Sequence, residues 1–379
     1  MIPSDWIIKR IGELTDCVSG GTPSTLVSSY WNGSIRWMNS GELNLKSIYE
    51  VEGRITEEGL RNSSTKMIPS GCVLIGLAGQ GKTRGTVAMN MVALCTNQSI
   101  AAILPAASFS SKYLYYNLDS RYRELRELSA GGGGRGGLNL ANIKSLNIPL
   151  PPTKAEQEAI AEALSDADAL IKSLEKLLVK KRHLKQGTMQ ELLIGKKRLP
   201  GFSASWEMNS IRNYLTYERP DAYIVKGTKY SEWGDTPVLT ANKSFILGFK
   251  DENFGICRNL PVIVFDDFTT DSKYADFPFK VKSSAIKLLR PKFSEVNLRY
   301  MFERMQLIRF QLGNHKRHYI SEYQNIELPI PHNDEQEAIV AILLDMDAEI
   351  TALEAKLTKV NQLKSGMMQE LLTGRIRLI

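Results

Sequence analysis

Residues 76–83 read Gly-Leu-Ala-Gly-Gln-Gly-Lys-Thr, a letter-for-letter match to the nucleotide-binding pattern G-x-x-x-x-G-K-T, and they follow an apolar run, Cys72-Val73-Leu74-Ile75. Such a loop cradles phosphates only when a helix begins at its lysine, because the first amides of that helix must point at the anion. Here the chain continues Arg84-Gly85-Thr86-Val87-Ala88-Met89, whose glycine and β-branched residues predict a turn into a second strand. No acidic strand suited to magnesium follows. A P-loop ATPase built on Lys82 and Thr83 therefore stands only as an alternative. The leading expectation is a glycine-permitted hairpin presenting Gln80, Lys82 and Arg84, whose side chains suit adenine, phosphate and guanine.

A second candidate follows the apolar run Pro261-Val262-Ile263-Val264-Phe265: residues 266–273, Asp-Asp-Phe-Thr-Thr-Asp-Ser-Lys. A metal nuclease would need Asp266 or Asp267 on a different strand from the Asp271-Ser272-Lys273 element, and the spacing is too short for that. The expectation is a base-reading loop, with a structural turn as the competing reading. Asp267 would accept from cytosine N4, and Thr269, Thr270 and Lys273 would serve the backbone or bases. Thr240, Asn242 and Lys243 form a similar polar cluster after another strand. Two further stretches occupy equivalent positions, residues 131–137 with Arg135 and residues 313–318 with His315, Lys316 and Arg317. A shared role with phosphates is favoured over plain linkers. His315 and His318 lack a third ligand at useful spacing, so no metal is expected. No cofactor loop, no N-P-P-Y or D-P-P-Y methyl-transfer tetrad and no Ser/His/Asp arrangement is found, so the chain is expected to hold no cofactor and to catalyse nothing by itself.

What must position these groups is a duplicated element. Glu156-Gln157-Glu158-Ala159-Ile160, closing with Met189-Gln190-Glu191-Leu192-Leu193, returns as Glu335-Gln336-Glu337-Ala338-Ile339, closing with Met368-Gln369-Glu370-Leu371-Leu372. About 25 of about 44 positions agree without a gap, and such a repeat usually buries its apolar face against another copy. The stripe of Ile160, Leu164, Ile171, Leu174 and Leu178 recurs as Ile339, Leu343, Ile350, Leu353 and Leu357, steps of three and four that predict two long helices paired through these residues. Two independent helices, each packed on its own domain, are the bland alternative. Proline clusters at residues 148–152 and 328–331 precede the helices. Thr153 and Asn333 are the expected N-caps, and Gly195 and Gly374 mark the C-terminal ends. Ahead of each helix lies a region of about 130 to 150 residues, opening with Trp6/Ile11 or Trp206/Ile211 and otherwise dissimilar in sequence. Tyr113, Tyr115, Tyr116 and Tyr122 read as a helical core stripe.

The totals agree with this. At 379 residues the chain suits two to three domains; 43% hydrophobic and 23% charged content is that of an ordinary globular protein. A formal charge of +7 favours a polyanionic partner. The four cysteines, Cys17, Cys72, Cys95 and Cys257, have no metal-site spacing and read as buried thiols of a reducing compartment. With no apolar run of about 18 residues, no membrane partner is expected and the localisation expected is cytoplasmic.

The Pro-rich turns with their Glu-Gln-Glu-Ala-Ile helices, the Met-Gln-Glu-Leu-Leu close, and residues 74–89 and 264–284 together resemble the specificity subunit of type I restriction-modification enzymes over nearly the whole chain. That resemblance implies an α+β protein with two α/β target-recognition domains, 1–152 and 200–332. They would be joined by two long helices, 153–199 and 333–379, packed as an antiparallel coiled coil in a pseudo-twofold tandem repeat. It implies a non-catalytic subunit that reads a bipartite, asymmetric site on double-stranded DNA. Two modification subunits, carrying the S-adenosylmethionine chemistry, and restriction subunits, carrying translocation and cleavage, would be its partners. The remaining alternative is a coiled-coil adaptor that binds proteins. A helix of about 40 residues rises about 60 Å, enough to span half-sites about 34 to 36 Å apart, so helix length is expected to set the unread gap.

Overall fold

Two β-strands that lie far apart in sequence close a small ladder ahead of each long helix. In the computed structural model, which describes residues 3–79, 81–128, 137–227, 229–240, 244–311 and 317–378, the chain forms two compact units: Met1–Glu175 with Ala355–Ile379, and Lys176–Glu354. Each unit takes one part of both long helices.

In the first unit, β1 (Ile7–Arg10), β2 (Cys17–Ser19), β3 (Val73–Gly76), β4 (Val87–Asn90) and β5 (Ile100–Ile103) are followed by α1 (Ser111–Ser120), α2 (Tyr122–Leu128) and β6 (Asn147–Leu150). The long α3 (Lys154–Leu192) comes next. β1 pairs antiparallel with β6, Ile7 opposite Leu150. Four strands of the central sheet run β2-β5-β3-β4, each pair antiparallel, and a short fifth strand, Ser47–Ile48, adds parallel to β4. Its middle strands are buried along their whole length, which is why they read as continuous apolar runs instead of alternating ones.

The second unit repeats the scheme with β7 (Glu207–Ser210), β8 (Leu215–Glu218), β9 (Val262–Asp266), β10 (Ser272–Ala275), β11 (Ile286–Pro291), α4 (Leu298–Met305), β12 (Glu327–Ile330) and the long α5 (Asn333–Leu371). β7 pairs with β12 as β1 does with β6. The sheet order β8-β11-β9-β10, again antiparallel throughout, reproduces β2-β5-β3-β4. The two regions that look dissimilar in sequence therefore share a four-stranded core. They differ in what is added to it: the parallel edge strand Ser47–Ile48 and a further four-stranded sheet around Trp31–Met38 in the first, and a three-stranded sheet of Ile246–Lys250, Thr236–Leu239 and Lys280–Val281 in the second.

α3 and α5 each contain 39 residues, about 58 Å at 1.5 Å per residue. Within each unit the two helices run antiparallel. In the first, Asp168 meets Lys364 at 2.5 Å while Glu156, earlier in α3, meets Arg377, later in the chain. In the second, Lys181 meets Glu349, Lys185 meets Asp347, both at 2.5 Å, and Arg198 meets Glu335 at 2.6 Å. Thr153 caps α3, its Oγ1 accepting from the Glu156 N–H at 3.2 Å. Asn333 does not cap α5: it is the first helical residue, and the Glu335 and Gln336 N–H groups donate to the His332 carbonyl. Gly195 and Gly374 both have φ +72°, the left-handed conformation that ends a helix.

Candidate nucleic-acid interface

The repeat positions its own ends with a buried ion pair used twice. The Glu156 side chain, 1% exposed, receives two hydrogen bonds from Arg377. The Glu335 side chain, 3% exposed, receives two from Arg198, at 2.6 and 2.7 Å. Each guanidinium also lies over the opening tryptophan of its unit, Arg377 over Trp6 and Arg198 over Trp206. Donation to these carboxylates raises both arginine pKa values. The copies differ in their outer bonds: Arg377 also donates to the Asp5 carboxylate, and Arg198 to the Ala204 carbonyl at 2.9 Å. Trp206 Nε1 donates to Glu335 at 2.9 Å, whereas buried Trp6 Nε1 has no hydrogen-bond partner among the described residues. Behind these pairs, Gln157 and Gln336 both donate to a proline carbonyl, Pro151 and Pro331. The frame that sets each domain on its helix is thus the same chemistry twice.

Ile160 and Leu164 are fully buried, in a core that also contains Trp6, Tyr113, Leu371 and Leu372. Ile339 and Leu343 are buried with Leu192, Leu193, Tyr300 and Tyr323. These four residues therefore pack on both the domain and the second helix. Leu174 and Leu178 are buried, and Ile171, Ile350, Leu353 and Leu357 are half-buried.

On this frame, the β3–β4 connection carries Lys82 and Arg84. β4 runs antiparallel to β3, and no helix starts at Lys82 or Thr83, so the phosphate-cradle geometry of a P-loop is absent. Gly79, Gly81 and Gly85 have φ of +127°, +81° and +79°, which only glycine adopts without strain. Lys82 is exposed and Arg84 half-buried. Tyr122 and Arg126 of α2 hold the turn from beneath. The Tyr122 hydroxyl donates to the Lys82 carbonyl at 3.2 Å, Arg126 donates to the Gly81 carbonyl and, at 2.8 Å, to the Tyr122 hydroxyl. Tyr122 is thus half-exposed and structural to the turn, unlike the buried Tyr113 and Tyr116 with which its sequence spacing groups it.

The β9–β10 turn occupies the corresponding place in the second unit, and it carries Asp267, Thr269 and Thr270, with Lys273 half-buried in β10. Candidates found separately in sequence thus fall on equivalent connections of the two equivalent sheets. Asp266 Oδ1 accepts from the Phe268 and Thr269 N–H groups, and Thr270 sits at φ +60°. Phe268 and Thr269 are exposed. Asp267 departs from expectation: it is 1% exposed, its Oδ1 accepts from the backbone N–H groups of His318 (3.1 Å) and Tyr319 (2.8 Å), and Oδ2 lies 3.4 Å from Lys287 Nζ. A carboxylate so engaged has no face left for a cytosine amino group. Arg317 is exposed, beside this contact. Thr240 is 8% exposed at the end of Thr236–Leu239, in the three-stranded sheet, with its N–H donated to the Phe245 carbonyl. Gln80, Arg135, Asn242, Lys243, His315 and Lys316 lie outside the described residues.

A family model described as the type I restriction modification DNA specificity domain matches residues 3–180 and 205–363. The chain belongs to that family. It is 38% identical over 178 residues to the EcoR124I/EcoR124II specificity subunit of Escherichia coli, an alignment covering 45% of this chain and 44% of that one. With the MjaVIII specificity subunit of Methanocaldococcus jannaschii it shares 21% identity across 99% of this chain and 94% of the relative. The chain thus spans less than half the length of some curated relatives and nearly all of another. Among solved structures, the S subunit from M. genitalium superposes with a TM-score of 0.65 at 17% identity, over 98% of this chain and 96% of that one. That likeness shows one fold shared over nearly the whole of both chains. Among the described residues, no helix is long and apolar enough to cross a membrane.

Proposed function

We propose that this chain is the DNA-recognition and assembly subunit of a type I restriction-modification enzyme, supplying recognition and no catalysis. One observation carries the reading: two copies of one sheet, each on one copy of the helical repeat, present different turns from the same connection. A repeated frame suits two identical protein partners, and unlike turns suit two different base sequences. The target is accordingly a bipartite, asymmetric site in double-stranded DNA. In this reading residues 1–152 and 200–332 are the target-recognition domains. The helical segments 153–199 and 333–379 act as spacer and as attachment for two adenine-modifying subunits, with restriction subunits joining that assembly. Lys82, Arg84 and Arg317 supply charge toward phosphates or guanine, and Thr269, Thr270 and Lys273 contact backbone or bases. The ATPase alternative loses its support with the strand that follows Lys82, and the family match gives the adaptor alternative none.

The test is reconstitution. Modification subunit mixed with this chain should methylate adenine in one bipartite sequence only, and the modification subunit alone should show no such preference. Equal site choice with and without the chain would contradict the reading.

A further inference from the structure

One of the backbone contacts that both domains make outside their strands lies at the reading turn. The Leu138 N–H donates to the Leu77 carbonyl at 3.0 Å in the first unit, and the His318 N–H to the Asp267 carbonyl at 3.2 Å in the second. Leu77 and Asp267 are each the first residue after their strand, β3 and β9. Leu138 and His318 stand equally far ahead of β6 and β12. This bond ties the hairpin turn to the chain that returns toward the ladder strand. In the first unit a leucine suffices at this place. In the second, a carboxylate shares the His318 N–H with that carbonyl and also accepts from the Tyr319 N–H, and Lys287, itself 5% exposed in its side chain, balances its charge.

Desolvating two charges is expensive, and an apolar pair of similar volume often stabilises a fold as well or better. The extra bonds fall on the residues immediately after Arg317, whose own carbonyl accepts from Ser321 Oγ at 3.2 Å. On the other side of Asp267 stand the exposed Phe268 and Thr269. We propose that Asp267 is a positioning residue which, with Lys287 as its counter-ion, fixes Arg317 in register with the Phe268-Thr269-Thr270 turn so that both engage one half-site of duplex DNA. The proposal rests on the reading that these turns contact DNA, and it assigns Asp267 itself no contact with a base.

The experiment selects bound duplexes from a random-sequence library with the full chain in complex with its modification subunit, and compares Asp267→Ala, which removes the acceptor of both N–H groups, with Arg317→Ala and the double variant. Asp267→Ala should flatten base preference in one block only and weaken binding about tenfold. Arg317→Ala should act on the same block. The double variant should be little worse than the more severe single, because one residue acts through the other. Should Asp267→Ala fold poorly, Asp267→Leu with Lys287→Met removes both charges and places the first domain's leucine there; it should fold and still lose preference in that block. Independent, multiplicative effects in the double variant, equal loss in both blocks, or full preference retained by the Leu/Met pair would overturn the positioning role. No effect of Arg317→Ala alone would overturn the underlying claim that this face meets DNA.

Discussion

Replacing Arg377 with alanine should destabilise the protein more than replacing Arg198, although the two occupy the same place in the repeat. Arg198→Ala removes a bond to the Ala204 carbonyl but leaves the Glu335 carboxylate, 3% exposed, with the Trp206 Nε1 donor at 2.9 Å. Arg377→Ala leaves Glu156, 1% exposed, without that second donor, and also removes the contact to Asp5. Breaking one partner of a buried pair costs about 3–5 kcal/mol. Both arginine side chains are about a quarter exposed, 27% and 26%, so water reaches part of the vacancy. The cost for Arg198→Ala is accordingly about 2–3 kcal/mol, and Arg377→Ala exceeds it by about 1.5–3 kcal/mol, the value of a hydrogen bond to a charged group. For units of this size that corresponds to about 5–10 °C in Tm for the smaller effect. Calorimetry together with tryptophan fluorescence reads it, since each guanidinium lies over a tryptophan ring. Equal losses for the two variants, or losses under about 1 kcal/mol for both, would refute the reasoning.

Lys82→Ala should weaken DNA binding uniformly across sequences and reduce the slope of log K against log[salt] by about 1, as removal of one phosphate contact requires; an unchanged slope argues against that contact. Deleting one heptad from both long helices should alter the preferred gap between the two recognised blocks or abolish binding, and an unchanged preference would remove the helices as the ruler. Burial pushes the thiols of Cys17 and Cys95 up to about 11 and that of Cys72 up to about 12, with Cys257 raised as well. Because the thiolate is the nucleophile, the folded chain should resist iodoacetamide at pH 8 and gain reactivity only toward those higher values, whereas the unfolded chain reacts at all four. Stoichiometric labelling of any cysteine in the folded chain at pH 8 would contradict their burial.

The long helices were legible because a period of three and four residues, written twice in one register, survives without any knowledge of tertiary structure. The turn after Ile75 was legible too, since Gly85 and the β-branched Thr86 and Val87 cannot open a good helix. The common sheet was not. Its central strands are buried on both faces, so their only requirement is apolar character, and two such strands need share no residues. The ties that hold the turns were equally hidden: Tyr122 and Arg126 reach residues 40 and 45 positions away, and Asp267 finds His318 across 51. In sequence Asp267 stands beside Phe268, Thr269 and Thr270 and nothing local distinguishes it from an exposed turn residue. Asn333 was misplaced by one residue because His332 offers only its backbone carbonyl as a cap, which no side-chain pattern reveals.

The central claim, two unlike reading turns on one repeated frame, is tested most directly by footprinting the purified chain, with and without its modification partner, on a duplex selected from random sequence. The account predicts two short protected blocks of different sequence separated by a gap of fixed length and indifferent composition. A single continuous block, uniform weak protection, or no protection even with the partner present would contradict it.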